Sequence, residues 1–510
     1  MTPARHADGP SGGPGATTPG VVAAGHQDTV DAAIALLEAG GNAYDATLAA
    51  GFAAAVAEPC LSSLGGGGFL LARPATGEPV LFDFFVDTPG RGRAPGEPVP
   101  PLTPVTLTFG GAQQVFHVGH ASIASPGCLA GYLHVHRRLG RAPLAEVVAP
   151  ACRLAEAGAV LGPDQASVVR LLEPIFSLTA EARELFVPKA RPFADADRVQ
   201  NPALATFLAA VADGEVTGFG DPDLAREIGA QSAANGGVLT AEDLRAYQVV
   251  EREPLALTHA DATILTNPEP SYGGRLITRA LRLLEREGLA STPGSGTRLA
   301  QVAHVLAEVS AGHAGGGVRT ARGTTHVSVA DAEGNLASMT TSNGSGSGIT
   351  LGATGVLANN IMGETDLHPE GFHQVPAGIR VGSMMAPTVV ERAERAAVAL
   401  GSGGSERIRS ALTQVLVTLV DDGAPLDEAV LAPRIHWDGE AVQVEPGFED
   451  AAVDVLAEDW PVNRWQVSDL YFGGVHAVAA DGSRIGDPRR GGRTGVVGGA
   501  VGRGGRGVAP

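Results

Sequence analysis

A chain of 510 residues, 44% hydrophobic and 18% charged, has the make-up of a globular protein with a large core, organised as about two to four domains or as one core shared by two chains. Its formal net charge of −19 excludes nucleic acid and anionic membrane as partners and leaves small molecules. Cys60, Cys128 and Cys152 are an odd number without C-x-x-C spacing or clustered histidines, which excludes a disulfide framework and a zinc site and reads as buried free thiols.

Residues 1–20 are rich in proline and glycine and lack the apolar region of a secretory signal, so a disordered lead and a cytoplasmic location are expected. The longest apolar run, 46–57, falls short of the ~20 residues of a membrane helix. A short strand is predicted over 21–25, then a helix capped by Asp28 or Thr29 and closed at Gly40-Gly41. Asn42 caps a second helix, alanine-rich and buried over 43–56, which Glu58-Pro59 stops. The glycine run 65–68 lacks the Lys-Ser/Thr of a phosphate-binding loop, so it reads as backbone passing close to a buried site. Strands are predicted to follow at 69–72 and 80–86, and helices from 129 to 161 and onward to 244. A loop at 267–274 opens a helix over 276–289, and 312–323, with Gly315-Gly316-Gly317, reads as a flexible segment.

The stretch Gly323-Thr324-Thr325-His326-Val327-Ser328-Val329 sets a hydroxyl at the head of an alternating strand, and 331–335 supply the turn to a partner strand at 336–341. If the Gly323–Thr324 bond is cut, Thr324 holds both a nucleophilic hydroxyl and an α-amino base that titrates at roughly pH 7.7–8.0. A Thr-Thr pair alone is compatible with an ordinary strand. Further strands are predicted at 356–360, 388–400 and 474–480, a helix over 406–419 begun at the 401–405 loop, and a disordered Gly/Arg-rich tail over 493–510. Strands in two blocks flanked by helices suggest an α+β protein of two sheets packed face to face under helices.

The ordered motifs Gly40-Gly41-Asn42-Ala43-Tyr44-Asp45-Ala46, Ser63-Leu64-Gly65-Gly66-Gly67-Gly68-Phe69, Thr324-Thr325-His326, Asn359-Asn360, Met385-Ala386-Pro387-Thr388, Gly401-Ser402-Gly403-Gly404 and Asp487-Pro488-Arg489 resemble the γ-glutamyltranspeptidase family over almost the whole chain. The resemblance implies the four-layer αββα fold of N-terminal nucleophile hydrolases. It also implies autocleavage between Gly323 and Thr324, into a large subunit 21–323 and a small subunit 324–492 that carries the catalytic Thr324.

Ser342 matches the family threonine that supports the nucleophile. Gly404 and Ser405 match its oxyanion glycines, although the residues alone read equally well as a tight strand-to-helix connection. Asn343, a candidate substrate-binding residue, lies one step short of the family asparagine, whose matched position is Gly344, and Glu364 matches the acid that binds the substrate amino group. Two departures touch the α-carboxylate pocket. Phe85 stands where the family has arginine, and Ser383-Met384 replaces a Ser-Ser pair. Arg91, Arg93 or Arg380 is a candidate substitute clamp.

The implied activity is a self-processing threonine hydrolase/acyltransferase cleaving an amide, γ-glutamyl-like bond of a small-molecule donor. Water or an amine is the acceptor, the donor specificity is altered, and no metal or cofactor is expected. A C–C bond hydrolase of secondary metabolism and a silent, unprocessed binding protein are the alternatives.

Overall fold

Side-chain alternation along the strands sets the layers. In Val21–Ala24, Val21 and Ala23 join one apolar cluster while Val22 and Ala24 join another. Gly67–Arg73 divides in the same way, with Phe69 and Leu71 against Leu70 and Ala72, as the two-residue period of a strand requires. The structure is a computed structural model that describes residues 18–94, 97–109, 112–187, 193–194, 196–290, 292–311 and 323–498.

One seven-stranded sheet runs in the order Arg493–Val496, Val21–Ala24, Gly323–Ala330, Leu336–Gly344, Gly67–Arg73, Val80–Phe84, Val250–Arg252. A six-stranded sheet runs Arg484–Ile485, Gly474–Ala479, Arg395–Gly403, Thr388–Arg392, Ala262–Thr266, Leu255–His259. The two sheets face each other where Gly323–Ala330 and Leu336–Gly344 pack on Arg395–Gly403. Helices Gln27–Glu38, Ala43–Ala57 and Cys128–Leu139 cover the outer face of the first sheet, with Leu144–Ala157 packed on Ala43–Ala57. Tyr272–Glu287 and Arg407–Val420 cover that of the second, with Gly296–Ala311 packed on Tyr272–Glu287, giving the αββα sandwich.

Between the sheets, His326 and Ser328 of Gly323–Ala330 form a polar seam. His326 Nδ1 lies 2.8 Å from Thr340 Oγ1 and its Nε2 2.9 Å from Ser328 Oγ, which donates to the His476 carbonyl at 3.1 Å. Burial, with His476 adding to it, pushes the His326 pKa well below the ordinary histidine range and keeps the ring neutral.

Asn42 caps the helix Ala43–Ala57 as expected, in a capping box with Asp45. The glycine run does bring backbones together: a Cβ on Gly66 would strike the Ser342 carbonyl, so only glycine fits there. The three cysteines are free thiols. Among the described residues, no helix is long and apolar enough to cross a membrane.

Several expected boundaries change. His26, not Asp28 or Thr29, caps Gln27–Glu38, its Nδ1 accepting from the Asp28 N–H. No strand forms over 356–360, because Asn359 satisfies the backbone of Gly65, Ala124 and Ile361 with its amide and leaves only isolated bridges. The single strand expected at 388–400 is a hairpin that turns between Arg392 and Arg395. Arg493–Val496, expected as the start of a disordered tail, forms an edge strand on Val21–Ala24. The expectations for 1–17, 312–322 and 499–510 lie outside the described residues.

Candidate active site

Gly323 pairs with Gly344 and Thr325 with Thr341, so Ser342 and Asn343 together oppose the single residue Thr324. This bulge aims the Ser342 side chain back at the bond before Thr324. Ser342 Oγ donates to the Gly323 carbonyl at 2.5 Å and accepts from the Gly344 N–H at 3.0 Å. A carbonyl held this way is polarised toward attack by a neighbouring hydroxyl. Backbone fixes the bond from behind. A Cβ on Gly323 would collide with the Cys60 carbonyl, and one on Gly403 with the Thr324 carbonyl.

The strand Arg395–Gly403 leaves the sheet through Gly404 (φ 126°) and Ser405 (φ 55°) before the helix Arg407–Val420 begins. Ser405 is in the left-handed region, which costs a residue with a side chain about 1–2 kcal/mol, a cost found chiefly at functional sites. The backbone N–H groups of Gly404 and Ser405 bond to no described residue. The Ser405 side chain donates to Asp366 Oδ2 at 3.1 Å. Arg490 lies against the other side of this loop, its Nη2 3.2 Å from where a Gly404 Cβ would stand. Burial, with Arg407 adding to it, lowers its pKa to about 10, so it stays charged at neutral pH and makes the loop more positive.

In front of Thr324 opens a cleft of about 340 Å³. Thr324, Ser342, Ser405, Phe85, Glu364, Ser383 and Met384 all line it, joined by Asp366, Met385, Ile361, Leu367 and Ile408. Phe85 stacks on Phe69 at 5.6 Å between ring centroids, so the position of the family arginine has become part of the core. Among the described residues, no arginine lines the cleft. Arg380 is held by Asp83, Asp87 and the Gln248 carbonyl and lies over Tyr247. Arg91 donates to the Gly378 carbonyl and Arg93 to the Pro98 carbonyl, so neither serves as the substitute clamp.

Asn343 is a correction. It is buried away from the cleft, its Nδ2 donating to the Pro59 carbonyl at 3.3 Å. The family position itself, Gly344, has φ 66°, and a Cβ there would strike Asn360 and approach Glu364 Oε1 to 2.6 Å. An asparagine there requires the Asn360 and Glu364 side chains to move aside. Asp366 escaped the sequence reading because it reaches the cleft through the turn after Glu364, and no periodicity marks that turn. For a metal, the described residues offer Glu287, His304 and Glu308 with ligand atoms within 4.8 Å of one another. Glu308 is already paired with Arg279 and none of the three lines the cleft.

The γ-glutamyltranspeptidase family profile matches residues 29–315 and 311–497. The chain is 31% identical to the acylase ACY 1 proenzyme of Pseudomonas sp. (strain SE83), over 91% of this chain and 90% of that protein. It is 27% identical to the glutathione hydrolase proenzyme of Escherichia coli (strain K12), over 86% of this chain and 84% of that one. Its fold matches the crystal structure of cephalosporin acylase from Bacillus halodurans with a TM-score of 0.80, over 98% of this chain and all (100%) of that one, at 20% identity.

Proposed function

The chain belongs to the γ-glutamyltranspeptidase family and is a hydrolase/acyltransferase of that type, and on that premise we propose that it matures by cutting itself before Thr324 and then uses Thr324 as an acyl-accepting nucleophile. The observation that carries this reading is the bond from Ser342 Oγ to the carbonyl that has to be attacked. In maturation, Thr324 Oγ adds to the Gly323 carbon while Ser342 holds the oxygen. The C–N bond then breaks, the acyl group passes to oxygen and the nitrogen takes up the hydroxyl proton. Water hydrolyses the resulting ester, leaving a carboxylate on Gly323 and an α-amino group on Thr324.

In turnover, that amino group takes the Oγ proton as Oγ attacks the donor carbonyl, and the N–H groups of Gly404 and Ser405 receive the oxyanion. The leaving amine departs with the proton. Water or an amine then resolves the acyl-enzyme. Two small-molecule substrates and two chains from one precursor meet these needs, with no step that requires a cofactor.

The cleft favours a donor unlike a γ-glutamyl group. Glu364 and Asp366 suit a cationic amine, while Phe85, Met384 and Met385 present apolar surface where an α-carboxylate would need a clamp. Missing a charged hydrogen bond costs roughly 1.5–3 kcal/mol, or about ten- to a hundred-fold in rate. The test compares kcat/KM for a γ-glutamyl amide with that for the 4-aminobutanoyl amide lacking its carboxylate. The expected result is a preference for the latter by at least about tenfold, largely lost in Glu364→Gln. A strong preference for the γ-glutamyl compound would overturn the specificity reading.

A further inference from the structure

Glu58 ends the helix Ala43–Ala57 fully buried, outside the lining of the cleft. No described residue forms an ion pair with it. Its two oxygens accept instead from two hydroxyls: Thr29 Oγ1 on Gln27–Glu38 at 2.8 Å and Thr325 Oγ1, next to the nucleophile, at 2.7 Å. Burial pushes its pKa up, and His26 with the two hydroxyls pulls it part of the way back. A fully buried carboxylate without an ion-pair partner among the described residues is costly, and its presence calls for a role.

The turn that Glu58 begins reaches the nucleophile strand and its partner at further points. The Leu61 and Ser62 N–H groups donate to the Glu58 carbonyl at 2.8 and 2.9 Å. Ser62 Oγ lies 2.9 Å from Thr341 Oγ1, directly across from Thr325. The Cys60 carbonyl sits against the Gly323 Cα, and the Pro59 carbonyl accepts from Asn343 in the bulge. The 58–62 turn therefore grips the chain on both sides of the Gly323–Thr324 bond, and Thr325 is its only direct side-chain tie to the nucleophile strand itself among the described residues.

We propose that Glu58 is a positioning residue for self-cleavage: anchored through Thr29, it fixes Thr325 so that the Gly323 carbonyl stays on Ser342 within reach of the Thr324 hydroxyl. The inference rests on Thr324 being the cleaving nucleophile. Small misplacements of reacting atoms have large rate effects, so loss of this tie slows cleavage while the fold persists.

The experiment follows the fraction of cleaved chain by intact mass after cell-free synthesis of the full chain. The variants are Glu58→Gln, Thr325→Val, their combination, and Thr325→Ser. Each single change is expected to slow cleavage at least about tenfold, and Thr325→Ser to cleave at close to the parental rate. The combination is expected to be no slower than the slower single variant, since both break one tie. Cleavage of Glu58→Gln at the parental rate, or a combination slowed by the product of the two single effects, would overturn the role. Should Glu58→Gln fail to fold, the Thr325→Val and Thr325→Ser pair decides, with parental cleavage in Thr325→Val counting against it. A parent that never cleaves defeats the nucleophile reading itself, a different failure from a cleaving parent indifferent to Glu58.

Discussion

In the proposed mechanism the loop at Gly404 and Ser405 acts through backbone donors rather than side chains. Ser405 contributes its N–H, and its hydroxyl is engaged with Asp366. Ser405→Gly therefore removes the left-handed strain without removing the donor. The expected outcome is a kcat within about threefold of the parent and a stability unchanged or raised by about 1 kcal/mol, read by steady-state kinetics and thermal unfolding. A hundred-fold fall in kcat would assign chemistry to the side chain instead. Thr324, Ser342, Ser405, Glu364, Phe85 and Met384 were legible because each is fixed by its place in a local motif, and all six line one cleft. Asn343 was misread because the bulge opposite Thr324 changes which side chain faces the cleft. Glu58 and Asp366 carry no local signature: their roles arise from contacts made by chain folding back on itself.

At the scale of elements, a titrating contact ties the edge strand Leu255–His259 to the end of the helix Arg407–Val420. His259 Nε2 lies 2.9 Å from Asp421 Oδ2, and this bond raises the His259 pKa against the burial that lowers it. A raised histidine contributes stability that is fully present below the unfolded value of about 6.5 and lost as pH climbs through the higher folded value. The thermal midpoint should thus fall more between about pH 6 and pH 9 in the parent than in Asp421→Asn. Equal slopes in the two proteins would contradict a stabilising role for the His259–Asp421 bond.

Elements with strong caps or clean alternation were legible, such as Ala43–Ala57 with Asn42 and the hairpin after Thr324. Residues 356–360 were not, because β-favouring side chains there lose to an asparagine amide that takes over the backbone partners. The edge strand Arg493–Val496 was hidden by its Gly- and Arg-rich context. It gains its order from pairing with Val21–Ala24, a partner more than 400 residues away in the chain.

For the whole molecule, the αββα sandwich explains why one chain can be cut and stay together. Gly323 and Thr324 lie in a strand at the heart of the seven-stranded sheet, flanked by Val21–Ala24 from before the cut and Leu336–Gly344 from after it. Cleavage would leave both products interleaved in the same two sheets. The proposed mechanism requires that this cut occur and create the nucleophile. It is tested most directly by intact-mass analysis of the purified protein beside Thr324→Ala and Thr324→Ser, with acyl-transfer activity measured on the same samples. The parent is expected to consist of two associated chains, 1–323 and 324–510, and Thr324→Ala to be one inactive chain. Thr324→Ser, which keeps a hydroxyl but loses the methyl that restricts its rotamer, should cleave and turn over more slowly. A parent that is active as a single full-length chain, or a Thr324→Ala chain that is still cut after Gly323, would contradict it.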